Sequence, residues 1–119
     1  MPEEFTEQEL HNLAMNVVGK ELEKEGFEFM TVNSKLKKDP QFVCLKNKKL
    51  HFVIVRAVSY PNNPATYDVT YMEIVKQHAL NFKARTYYAG VGIANANDYS
   101  KAVIKGDKYI INFNGITEI

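Results

Sequence analysis

The strongest periodic signal lies between Leu10 and Leu22. Leu10, Leu13, Ala14, Val17, Val18 and Leu22 recur at the i, i+3, i+4, i+7 spacing of one buried helix stripe. Thr6 and Glu9 stand ahead of it as a capping-box pair, and Gly26 supplies a left-handed C′ residue behind it. Glu7, His11, Lys20, Glu21 and Glu25 fall mostly on the solvated face. Phe27 to Val32 is aromatic and β-branched, which favours a strand. Asn33 to Pro40 is polar and lysine-rich and reads as a loop. Gln41–Lys46 and Leu50–Ala57 then form a hairpin through Asn47-Lys48-Lys49. The second of these strands is almost continuously apolar, as strands covered on both faces are.

A loop with two prolines and two asparagines follows, Val58 to Tyr67. Thr70 and Glu73 give a second capping-box signature, and Met72, Val75, Ala79 and Phe82 carry a helix to about Ala84. Thr86 to Ala94 reads as a strand. The tail predicts a second hairpin, Lys101–Lys105 against Lys108–Phe113 around Gly106-Asp107, with another reversal at Asn114-Gly115. The expected fold class is therefore α/β (α+β). One domain holds a mixed sheet flanked by two helices in αβββαβ order over residues 6–94, with a C-terminal β-hairpin in the extension 99–119.

Composition narrows the chemistry. At 119 residues the chain suits one domain with a real core. Its 15 basic and 14 acidic residues leave a net charge of +1, less basic than a dedicated DNA-binding domain. The one cysteine, Cys44, cannot make an internal disulfide or hold an iron–sulfur cluster. No apolar run reaches membrane-spanning length, and the acidic N-terminus lacks a signal core, so a cytoplasmic location is expected.

The αβββαβ order and the hairpin placement resemble the core of the PD-(D/E)XK, or restriction-endonuclease-like, nucleases. That resemblance implies an Asp near the start of the second strand and a Glu-x-Lys on the third, binding Mg²⁺ and orienting water. Strand residues two apart share a face, so the spacing makes the ligands converge. Here the matching positions are Gln41, Ile54 and Arg56. Gln41 offers one neutral oxygen, Ile54 none, and Arg56 keeps a charge but cannot act as a base. The resemblance thus implies a relative that has lost its metal site, with no catalytic residue, metal or cofactor. An NADH–quinone reductase subunit, a label carried by similar short chains, finds no support here. The chain lacks a cluster-ligating cysteine set and a Gly-x-Gly-x-x-Gly.

Four residues are candidates for ligand binding: Gln41, Arg56, Gln77 and Lys46. Arg56, at the end of an apolar strand, needs solvent or an anionic partner. That partner is either a ligand or a glutamate of the first helix, Glu21 or Glu25. Gln77 lies on the helix where some nucleases place an active-site glutamine, although the polar side of an amphipathic helix accounts for it better. Lys46 belongs to a lysine group with Lys35, Lys37, Lys38, Lys48 and Lys49, either a phosphate-contacting patch or a solvated surface. His11, His51 and His78 are too dispersed for a zinc site. Tyr60, Tyr67, Tyr71, Tyr87 and Tyr88 suit core and interface packing better than base stacking. The expected function is a non-enzymatic binding or accessory module, with nucleic acid, a protein partner or a second copy of the chain as candidate partners. The alternatives are a divergent Mg²⁺ nuclease drawing on Asp39 and Glu21, and a purely structural interaction protein.

Overall fold

The computed structural model describes residues 3–119. The first helix, α1 (Glu7–Lys24), begins at a complete capping box. Thr6 Oγ1 accepts from Glu9 N–H at 3.1 Å, and the Glu9 carboxylate accepts from Thr6 N–H at 2.9 Å. It closes ahead of Gly26, whose φ of 87° is one that glycine adopts without strain. Three strands follow: β1 (Glu28–Val32), β2 (Phe42–Lys46) and β3 (Lys49–Ser59). They pair antiparallel in sequence order. The second helix, α2 (Val69–Leu80), returns the chain so that β4 (Arg85–Asn95) lies parallel to β3. This is one α+β domain with a mixed sheet and two helices in αβββαβ order.

The two helices cover opposite faces of the sheet. Alternate residues of β3 divide between them, as a strand's period of two requires. Val53 and Val55 join Ala14, Val18 and Leu22 of α1 in the main core. Ile54 packs with Met72 and Tyr88, and Phe52 with Ala79 and Ala84, on the α2 side. Val53, Ile54 and Val55 are all 0% exposed, which explains the unbroken apolar run.

Three details depart from expectation. Asp68, not Thr70, caps α2, its carboxylate accepting from Tyr71 N–H at 3.0 Å. The β2–β3 link is the two-residue turn Asn47-Lys48, because Lys49 already pairs with Lys46. The tail forms its β structure against β4. Residues 101–105 form no strand beyond an isolated bridge between Glu4 and Ile104, while β5 (Tyr109–Asn112) and β6 (Thr117–Glu118) both pair antiparallel with β4. The expected reversal at Asn114-Gly115 is an offset along one edge: Gly92 faces Asn112, whereas Tyr88 faces Thr117. Gly115, at φ 93°, absorbs the extra residue as a bulge glycine does. Gly90 meets a different demand. A Cβ there would sit 1.9 Å from the carbonyl oxygen of Pro64, so glycine lets the Tyr60–Thr66 loop lie on β4.

Candidate functional site

Gln41 precedes β2 and is fully buried. Its backbone N–H donates to Val53 O at 3.1 Å, and its backbone carbonyl accepts from Asn33 N–H at 2.8 Å. Its side chain then extends the ladder one step, Oε1 accepting from Val55 N–H at 2.7 Å. That amide would otherwise be a buried donor without a partner, so Gln41 is part of the sheet's own hydrogen-bonding. Its Nε2 donates to Asp39 Oδ1 at 2.7 Å.

Asp39 is the centre of the arrangement. The Arg56 guanidinium clasps it in a fork, Nη1 to Oδ1 at 2.8 Å and Nη2 to Oδ2 at 2.7 Å. Tyr71 Oη donates to Oδ2 at 2.6 Å from the first turn of α2. Four short bonds thus reach the two carboxylate oxygens. The loop carrying Asp39 is held in turn by α1: Gln8 Oε1 accepts from Leu36 N–H at 2.9 Å and Nε2 donates to Ser34 O at 2.8 Å. Burial opposes ionisation of Asp39, whose side chain is only 7% exposed. The hydrogen bonds from Arg56, Tyr71 and Gln41 outweigh it and hold the carboxyl below its ordinary pKa. The same contact with Asp39 raises the pKa of Tyr71 and that of Arg56. Arg56 therefore has an ion-pair partner, but it is Asp39 and neither Glu21 nor Glu25.

Beside this lock a cavity of about 380 Å³ opens between β3 and the start of α2, with Ile54, Arg56, Asp68, Tyr71 and Tyr88 in its wall. Burial lifts the pKa of Tyr88, keeping its hydroxyl neutral. Among the described residues, no group of three or more His, Cys, Asp or Glu side chains is placed to hold a metal ion. Ile54 is core, 0% exposed.

A profile for a domain of unknown function, DUF8840, matches residues 8–119, nearly the whole chain. The chain belongs to the DUF8840 family. No curated protein and no solved structure matches it. No helix among its described residues is long and apolar enough to cross a membrane.

Of the four sequence candidates in this DUF8840 domain, two come together and two do not. Gln41 and Arg56 meet on Asp39. Lys46 lies at the opposite end of β3, since it pairs with Lys49 and Arg56 follows seven residues on, about 23 Å along a strand. It sits 4.7 Å from the ring centroid of Phe27. Gln77 is exposed on the outer surface of α2 and donates to Glu73 at 3.0 Å, away from the lock. The lysine group also divides. Lys35, Lys37 and Lys38 belong to the Asp39 loop, whereas Lys46, Lys48 and Lys49 surround the far hairpin turn.

Sequence reasoning missed two members. Tyr71 was one tyrosine among seven. His11 was placed on the solvated face of α1, yet it is fully buried with neither ring nitrogen hydrogen-bonded. Burial lowers its pKa; Arg56 lowers it further, and Asp39 partly opposes. The ring is thus held neutral in the folded state. A base with a depressed folded pKa contributes stability that is complete above its unfolded value and is lost as pH falls below it. We expect the stability of the wild type to drop relative to His11→Leu as pH falls from about 6.5, by up to about 1.4 kcal/mol per unit. Urea titrations of both proteins from neutral to mildly acidic pH check this. Parallel curves would show that His11 does not titrate on unfolding.

Proposed function

We propose that this domain is a non-catalytic binding module on a nuclease-like scaffold, and that its ligand is a polyanion such as nucleic acid. One observation carries the first half. The acid nearest the nuclease position, Asp39, spends both oxygens on Arg56, Tyr71 and Gln41. A carboxylate so committed has no free lone pair aimed at a cation, and Ile54 beside it supplies none. A divergent nuclease would need a second acid converging there. Among the described residues, Glu21 is in no group of three or more side chains placed to hold a metal ion.

The second half rests on the far end of the sheet. Lys46 and Lys49 are direct cross-strand partners, an arrangement that like charges disfavour. Arg85 pairs with His51, two residues beyond Lys49, and brings Lys83 to the same end. Lys48 (φ 63°) holds the second place of a type I′ turn, where glycine is usual. Lys83 (φ 55°) holds the left-handed place of a Schellman closure, Ala84 N–H reaching Ala79 O at 3.0 Å. Glu28 and Glu118 flank the group, but none of the five cations has an ion-pair partner among the described residues. A fold that strains its backbone to present lysines at two adjacent turns is suited to phosphate contacts.

The test is binding of labelled single- and double-stranded DNA and RNA across salt concentrations, with Mg²⁺ present and cleavage read on the same samples. Expected are salt-sensitive binding and intact nucleic acid. Lys48→Gly with Lys83→Gly should raise stability by about 1 kcal/mol per site by relieving left-handed strain. The same double variant should flatten the log–log salt dependence by about 2. Mg²⁺-dependent cleavage lost in Asp39→Asn would overturn the non-catalytic reading. Absence of binding at low salt would overturn the polyanion.

A further inference from the structure

We propose that the outer edge of β1 is a self-association surface, on which two copies of this chain pair β1 against β1 about a two-fold axis. The inference is independent of the polyanion reading. In the sheet, β1 is terminal and pairs only with β2. All five of its residues are exposed, with Met30 at 55% and Val32 at 53%. Edge strands are ordinarily blunted by lysine, proline, shortness, a bulge or a covering segment. Glu-Phe-Met-Thr-Val has no lysine or proline, and a bulge at Met30 is the one such device within it. The other terminal strand, β5, has four residues and follows Lys108 directly.

Beside this edge runs a groove of about 370 Å³ between β1 and α1, floored by Met15, Gly19, Phe29, Val32 and Phe42. Phe29 and Phe42 already stack there, with centroids 5.4 Å apart. The rim settles the occupant. It carries one cation and one anion, Lys20 and Glu23, on successive turns of α1. They are in no ion pair with each other among the described residues. A rim with both signs is its own complement under a two-fold, each lysine meeting a glutamate of the other copy. It suits neither a polyanion nor a basic peptide. Antiparallel pairing centred on Met30 would satisfy the unpaired backbone groups of both edges and cover the apolar side chains beside them.

Sedimentation of the purified full chain from micromolar to submillimolar concentration tests this. A concentration-dependent dimer is expected. Met30→Lys with Val32→Lys should abolish it without changing the far-UV circular dichroism, because both side chains are more than half exposed. Lys20→Glu should weaken dimerisation about tenfold, and Lys20→Glu with Glu23→Lys should restore it, since the exchanged rim is again self-complementary. Met30→Cys should form a symmetric disulfide under mild oxidation. The native thiol will not interfere: Cys44 is fully buried, and burial pushes its pKa up to about 11. A chain monomeric at every concentration overturns the proposal. So does a dimer that survives Met30→Lys with Val32→Lys, or one in which the Met30→Cys thiols fail to join.

Discussion

Asp39→Ala is expected to cost the fold about 3–5 kcal/mol, because it leaves the Arg56 guanidinium, 23% exposed, beside a hole where its counter-charge stood. Tyr71 and the Gln41 amide lose a bond each, and Gln41 is then less firmly held for its contact with Val55 N–H. Arg56→Ala should cost less, since Asp39 keeps Gln41 and Tyr71 and can protonate. The double variant should cost well below the sum, because the residues act as one network. The pH dependence has a definite sign. Asp39 has a folded pKa below its unfolded value, so its contribution is present above about 3.9 and is lost as pH falls beneath that. Urea unfolding of the four proteins at neutral pH and near pH 3 checks both claims. A loss under about 1 kcal/mol for Asp39→Ala would mean that solvent screens the pair as it does surface ion pairs.

The lock explains why the site was harder to read than the fold. Helix α1, the β2–β3 hairpin and β4 announce themselves through local periodicity and turn chemistry, and short-range signals suffice for them. Asp39 and Arg56 are 17 residues apart, and Asp39 and Tyr71 are 32 apart. No local pattern couples an acid in a lysine-rich loop to an arginine at a strand's end. Arg56 was legible as a charge needing a partner, but choosing the partner required the path of the 33–40 loop, which Gln8 fixes. His11 was misplaced for a different reason. The fully covered stripe of α1 is His11, Ala14, Met15, Val18 and Leu22, one step round from the purely apolar stripe. The spacing was present in the sequence, and treating histidine as polar hid it. In the tail, Asn114-Gly115 carries turn chemistry, but the unfilled edge of β4 draws both flanking segments along one line. Tertiary pairing decides there what local preference leaves open.

Ile54→Glu with Arg56→Lys, which introduces the Glu-x-Lys spacing found in the nucleases whose element order this sequence resembles, is expected to unfold the domain rather than create a metal site. Ile54 is 0% exposed and packed against Met72 and Tyr88, so the new carboxylate must either ionise in an apolar environment or take up a proton. Either route, with the lost packing, should cost more than about 4 kcal/mol. Arg56→Lys adds to it by replacing the two-pronged clasp on Asp39 with a point charge. Ile54→Val, by contrast, should cost about 1 kcal/mol. The informative measurement is thermal unfolding of the double variant with and without Mg²⁺. The cavity of about 380 Å³ next to Ile54 is the one feature that opposes the expectation, because a glutamate that reached it could recruit Asp39 away from Arg56. A folded double variant whose melting temperature rises with Mg²⁺ would reveal a metal site two substitutions away from this sequence. A variant that melts far below the wild type, with no response to Mg²⁺, would show that core packing and the Asp39–Arg56 pair together leave no place for such a metal site.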